Sequence, residues 1–153
     1  MKNNRLLNTV IVLIIAIFAI IGYKLAPMLN ASADLTLPAT ACNPGIKACA
    51  ATLPNGAQIE LIIEPQPIRP LQTLNLNVTV TGLDAQGIEV DFEGTEMKMG
   101  YNRPTLTRMN GQFTGQAMLP VCISGAMNWA ATVLVTSGRQ KIAVPFHFTV
   151  AGR

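Results

Sequence analysis

The fold class predicted for this 153-residue sequence is all-β: an immunoglobulin-like antiparallel sandwich of about seven strands, preceded by one N-terminal transmembrane helix. Three observations predict it. Val10 to Ile21 is an unbroken run of twelve apolar residues. Beyond position 56, apolar side chains recur at every second residue. No segment in that region carries the 3.6-residue period of an amphipathic helix.

The elements follow in chain order. Residues 1–5 read as a cytoplasmic tail and 6–26 as a transmembrane signal anchor. A helix from Leu6 to Tyr23 is roughly 27 Å long at 1.5 Å per residue, just enough for a hydrocarbon layer of about 30 Å. Lys2, Arg5 and the terminal amine precede the apolar run and Lys24 alone follows it. The positive-inside rule therefore predicts a single pass through an inner membrane, with the N-terminus cytoplasmic and the domain periplasmic. Ala31-Ser32-Ala33 has the small-x-small form of a cleavage signal, but it lies twelve residues past Ile21. That is further than processing sites usually sit, so a retained anchor is expected.

Residues 27–55 read as a linker carrying Pro38, Pro44 and Pro54 among alanines and threonines, without a core pattern of its own. Within it Cys42 and Cys49 enclose a Pro-Gly turn signal and form a candidate disulfide suited to an oxidising compartment. With three cysteines in the chain, Cys122 is left as a thiol. The commonest fate of such a residue is that of a small buried hydrophobe.

Residues 56–153 are the sandwich domain. Ile59, Leu61 and Ile63 alternate with Gln58, Glu60 and Ile62. Leu74, Leu76, Val78 and Val80 alternate with polar neighbours, as do Ile88, Val90 and Phe92. A shorter strand covers Thr105 to Met109. The pattern resumes with Phe113, Gly115, Ala117 and Leu119, with Met127 to Val135, and with Ile142 to Val150. Asn110-Gly111 is a tight-hairpin signal between the fourth and fifth strands, and Pro65, Pro67 and Pro70 stiffen the first connection.

Charge and composition remove several functions. The formal charge is +3, but Lys2, Arg5 and Lys24 belong to the anchor, and the remaining eight basic residues face eight acidic ones. The domain is neutral and has no basic stripe for nucleic acid. A hydrolytic triad needs a histidine or lysine base oriented by a carboxylate and a zinc site usually takes several His or Cys ligands, and His147 is the one histidine available. His147 falls on the strand face with Lys141, Ala143, Pro145 and Thr149 and reads as solvated. Glu89, Asp91 and Glu93 read as a solubilising edge, not a calcium site. No enzyme activity and no small-molecule substrate are indicated.

The sulfur residues stand apart. Met97, Met99, Cys122 and Met127 all lie at strand ends or in connections, and thioether and thiolate ligands select Cu(I). Met97-Lys98-Met99 places two thioethers on one side of an extended chain. Met109 and Met118 read as core packing. If seven strands run up and down in sandwich order, the connections holding Met97, Met99, Cys122 and Met127 gather at one pole. The chain enters at the other, so the cluster is expected to face away from the membrane. Gly100 and Gly125 permit tight backbone there, with Tyr101 and Trp129 as shields from water.

The stretch Gly94 to Asn102, then Leu119-Pro120-Val121-Cys122, Gly125-Ala126-Met127-Asn128-Trp129 and Phe146-His147-Phe148 resemble the FixH-like and YtkA-like group of bacterial proteins. The architecture of that group is matched over roughly Leu53 to Val150. The resemblance implies a membrane helix carrying a periplasmic sandwich. It further implies a role in copper handling and haem-copper oxidase assembly, with a Sco-type copper chaperone or a cytochrome oxidase subunit as partner. Met97, Met99, Cys122 and Met127 are the residues carried over as metal ligands, with Cu(I) as cofactor. The competing expectation is a scaffold subunit that docks on a membrane complex, its methionines forming an adaptable apolar contact.

Overall fold

Period-two segments rich in Val, Ile, Leu and Phe can satisfy their backbone only by pairing and their apolar face only by covering one another. In the computed structural model, which describes residues 2–29, 33–40, 42–97, 100–120 and 125–151, they do both. The chain is mostly β. After helix α1 (Lys2–Leu29) come β1 (Leu35–Thr36), β2 (Cys49–Thr52), β3 (Gln58–Glu64), β4 (Thr73–Thr81), β5 (Gly87–Gly94), β6 (Thr105–Met109), β7 (Gln112–Met118), β8 (Met127–Ser137) and β9 (Gln140–Val150). The helix and the β unit, Ala33–Arg153, are separate compact units.

The nine strands form one curled sheet in the order β1-β9-β8-β5-β6-β7-β4-β3-β2. Every pairing is antiparallel except β1 on β9. The curl turns on β6. Its first residues pair with β5 (Ile88↔Leu106), and its last pair with β7 (Thr107↔Thr114), so the strand passes from one half of the sheet to the other within its own length. Gly115 makes room for that crossing: a Cβ there would stand 3.1 Å from Leu106 Cγ.

The residues that alternate in the sequence are the ones buried. Ile59, Leu61, Leu76, Val90, Phe92, Ala131, Val144 and Phe146 are fully enclosed, and Phe92 meets Phe148 edge-on at 6.5 Å between centroids. Burying each large aliphatic or aromatic side chain contributes about 1.5–3 kcal/mol before the entropy of ordering it is subtracted. The Asn110-Gly111 hairpin is present, with both residues at positive φ, 50° and 84°, as a type I′ turn requires.

The structure differs from the sequence reading in three places. The stretch 27–55 is not a bare linker, because it supplies β1 and β2 and lends Cys49, Ala51 and Leu53 to the core. Strands of two and four residues are too short to announce a period. Second, β5 is not an edge. It lies between β8 and β6, and its Asp91 and Glu89 face Arg103 and Lys141 in ion pairs. Third, Met109 and Met118 are exposed, not packed in the core.

In α1 the described side chains are those of Leu7–Gly22, and all are exposed. Among the described residues no helix is long and apolar enough to cross a membrane. The expected anchor, 6–26, extends beyond that stretch at both ends.

Candidate metal centre

Antiparallel order sends the connections alternately to two ends of the β unit. Residues 82–86, 110–111 and 138–139 turn at one end, where Asp34 also enters, its N–H donating to the Lys141 carbonyl at 2.8 Å. The strand ends that bound connections 65–72, 95–104 and 119–126 lie at the other end. The Leu71 N–H donates to the Leu119 carbonyl at 2.9 Å, tying the first of these to the third. Cys42 and Cys49 are joined as a disulfide with their Cα atoms 5.6 Å apart, and the loop they close packs at this same end. Within it Gln66 Nε2 donates to the Pro44 carbonyl at 3.2 Å, and Gly45 lies against Phe148 and Ile68.

The connection bearing Met97 is fixed at both of its ends. Where it leaves β5, the Thr95 N–H and Oγ1 donate to the Asn128 carbonyl at 3.0 and 3.2 Å. Asn128 Nδ2 donates to Glu96 Oε1 at 3.0 Å, and Asn128 Oδ1 accepts from Thr149 Oγ1 at 2.7 Å. Where the connection returns, the Asn102 and Pro104 carbonyls accept from the Phe92 and Val90 N–H groups at 2.9 and 3.1 Å. Asn102 Nδ2 donates to the Met118 carbonyl at 3.0 Å. Met118 is the last residue of β7 and Asn128 the second of β8. The methionine connection is therefore pinned to both flanks of the connection that holds Cys122.

The sequence-predicted ligands are distributed as follows. Met97 is 46% exposed and lines a surface cleft of about 530 Å³ with Glu93, Thr95, Glu96 and Tyr101. Met127 is 3% exposed and packs in the core. Met99 and Cys122 lie outside the described residues. The structure thus brings Met97 to the expected pole and sets Met127 at the start of β8, facing inward. Tyr101 is 81% exposed and Trp129 is buried, so neither takes the place of a lid. His147 is exposed, as its strand phase requires.

Arg103 braces the return of the connection. It pairs with Asp91, and its guanidinium carbon stands 5.5 Å from the Tyr101 ring centroid. Its hydrogen bond to the Asp91 carboxylate raises the already high pKa of Arg103, outweighing the opposing effect of burial.

No family model, curated protein or solved structure matches this chain. The chemistry must therefore be argued from the donor set. Among the described residues no group of three or more His, Cys, Asp or Glu side chains could hold a metal ion, and Met97 presents its thioether on the surface. A soft donor on a half-exposed connection suits a soft ion held with a position open to exchange. Asn102 and Asn128 belong to the motif stretches but carry no signal of their own in sequence. Their role depends on strands that the chain order keeps apart.

Proposed function

We propose that this chain is a membrane-anchored periplasmic Cu(I)-binding protein. In this reading an immunoglobulin-like sandwich follows a single transmembrane helix, and the pole bearing Met97 receives or hands on copper during haem-copper oxidase assembly. The observation that carries the reading is the pinning of the Met97 connection, by Asn102 to Met118 and by Asn128 to Glu96, to both flanks of the Cys122 connection. The described residues that flank two sulfur-bearing segments far apart in sequence are thereby tied together. Met97, Met99, Cys122 and Met127 are the ligands of the proposal. A Sco-type chaperone or an oxidase subunit is the partner that the family resemblance suggests. Copper, when bound, supplies a thiophilic ion for transfer, while the chain's own residues position the sulfurs and leave the pole accessible.

Anaerobic titration of the purified protein with Cu(I) against a chromophoric competitor tests it. Wild type is expected to bind, with binding lost in Cys122→Ser and in the double variant Met97→Leu with Met99→Leu. Undiminished stoichiometry in both variants would overturn the ligand assignment.

A second reading, an interaction subunit without metal, has an observation in its favour. Among the described residues of the β unit, the exposed large apolar side chains Ile46, Leu71, Met97, Tyr101 and Met118 lie at this one pole, and Leu35 and Met109 lie elsewhere. Exposed apolar clusters mark contacts with other proteins. The two readings separate in the same titration, since a purely apolar contact predicts no Cu(I) binding by wild type.

A further inference from the structure

A strand at the end of a sheet leaves the N–H and C=O of every second residue unpaired, and proteins commonly blunt such edges with charged side chains or proline. The two ends of this sheet are β1 and β2. On β2 the open residues are Ala50 and Thr52. The Leu53 N–H donates to the Ala57 carbonyl at 2.8 Å, and in the β2–β3 register the same phase falls on Ala51 with Ile59 and on Cys49 with Leu61. Ala50 and Thr52 alternate with these, so their backbone groups point away from β3. On that side lies a cleft of about 420 Å³ whose two walls are Leu37–Thr40 and Ala50–Pro54. Neither wall carries a charged residue, and Pro38 has no N–H to offer, so hydrogen bonding in the cleft falls to β2. At one end the Cys42–Cys49 disulfide ties the walls together with Cα atoms 5.6 Å apart. Paired strands lie about 4.8 Å apart, so a strand between two walls needs about twice that spacing and cannot continue past the disulfide. Lys47 lines the adjoining hollow, which shares Thr40 and Ala50 with the cleft. Its side chain is exposed and makes no ion pair among the described residues.

We infer, independently of the Cu(I) reading, that this cleft receives the extended C-terminal segment of a partner protein, which adds to β2 as an antiparallel strand and ends with its carboxylate at Lys47. The walls choose a single strand over the sheet edge of a second copy, because such an edge brings its own neighbouring strand, which would meet the 37–40 wall. Antiparallel pairing is the more stable arrangement, and it sends the C-terminal end of the guest toward the disulfide. There the guest must stop, and an unpaired cation stands beside the stop. A backbone ladder with a captured terminal carboxylate combines two established modes of peptide recognition. The guest residues opposite Ala50 and Thr52 each exchange two hydrogen bonds with β2 and point outward, as those residues do. The guest residue between them points inward with Ala51, which is buried, and must be apolar.

The probe is a fluorescein-labelled hexapeptide of alternating threonine and valine with a free C-terminal carboxylate, titrated against the full-length protein by fluorescence anisotropy. Wild type is expected to bind it saturably. Ala50→Pro removes an N–H that faces the cleft and none that faces β3, and should weaken binding about tenfold. N-methylation of the peptide one residue at a time should weaken binding about tenfold at the positions opposite Ala50 and Thr52 and less at those between, a period that a side-chain contact does not produce. Amidating the peptide C-terminus should weaken binding several-fold in wild type, and Lys47→Gln should lower affinity for the free acid to that of the amide. The double variant Met97→Leu with Met99→Leu should bind the peptide as wild type does. If urea unfolding shows that Ala50→Pro has lost the fold, the N-methylated peptides against wild type carry the test. No saturable binding by wild type, or binding with no alternation along the N-methyl series, would overturn strand addition. Equal affinity of wild type for the acid and the amide would overturn carboxylate capture at Lys47.

Discussion

At the pole where Asp34 enters the β unit, the chain turns in a few residues. Asn110-Gly111 and Gly138-Arg139 close hairpins with positive φ at Asn110, Gly111 and Gly138. At the opposite pole the connections 65–72, 95–104 and 119–126 are long, and among the described residues of the β unit most of the exposed apolar side chains lie at that end. The difference teaches how the two ends are ordered. A two-residue turn is specified locally, by which residues tolerate left-handed backbone. A long connection needs partners from other strands, and here it obtains them from Leu71 with Leu119, Asn102 with Met118, and Asn128 with Glu96. The turn pole is self-sufficient. The opposite pole exists only as an assembly.

The sharpest way to break this contrast is to compare exposed methionines at the two ends. Replacing Met97 and Met99 together by Leu should abolish Cu(I) binding, whereas Met109→Leu, at the hairpin pole, should leave affinity and stoichiometry unchanged in the same titration. Equal effects would erase the functional distinction between the poles.

Next in size is the disulfide. Cys42 and Cys49 stand seven positions apart, and a loop that short corresponds to about 2–3 kcal/mol of unfolded-state entropy. The double change Cys42→Ala with Cys49→Ala should lower the urea-derived unfolding free energy by that amount. A change well below 1 kcal/mol would mean that the packing of Gly45 and Cys49 already holds the loop.

At the hairpin pole, Gly111→Ala places a Cβ at φ 84° and should cost about 1 kcal/mol without altering Cu(I) affinity. The smallest expected effect is a gain. Leu71 is held at φ 56° with its side chain 54% exposed, a conformation that Asn adopts more readily than Leu. Leu71→Asn should therefore stabilise by about half a kcal/mol. A loss of stability would show instead that the exposed leucine makes a contact the backbone strain maintains.

Much of this fold was legible in the sequence. The alternating residues from Ile59 to Val150 form the core, and the Asn-Gly turn lies where its chemistry puts it. Met118 shows why residue type is a poorer guide than strand phase. It stands between Ala117 and Leu119, both inward, so it must point outward however apolar it is. Met127 shows the converse, a residue at a strand start whose phase directs it into the core. Asp91 read as part of a solvated edge because nothing local reveals that Arg103 will lie opposite it. The segment around Cys49 read as linker because Ala50, Ala51 and Thr52 give little hydrophobic contrast over four residues.

The sequence by itself determined the strand periodicity, the tight turns, the neutral charge of the domain and the sulfur residues available to it, since each depends on neighbours within a few positions. Only the tertiary structure decided which strands adjoin, that β6 carries the sheet from one half to the other, and that Asn102 and Asn128 clasp the two flanks of a distant connection. The physical reason is that a hydrogen bond between residues 16 or 32 positions apart leaves no trace in local pattern. It exists only once burial of the alternating core has brought β5, β7 and β8 to one end.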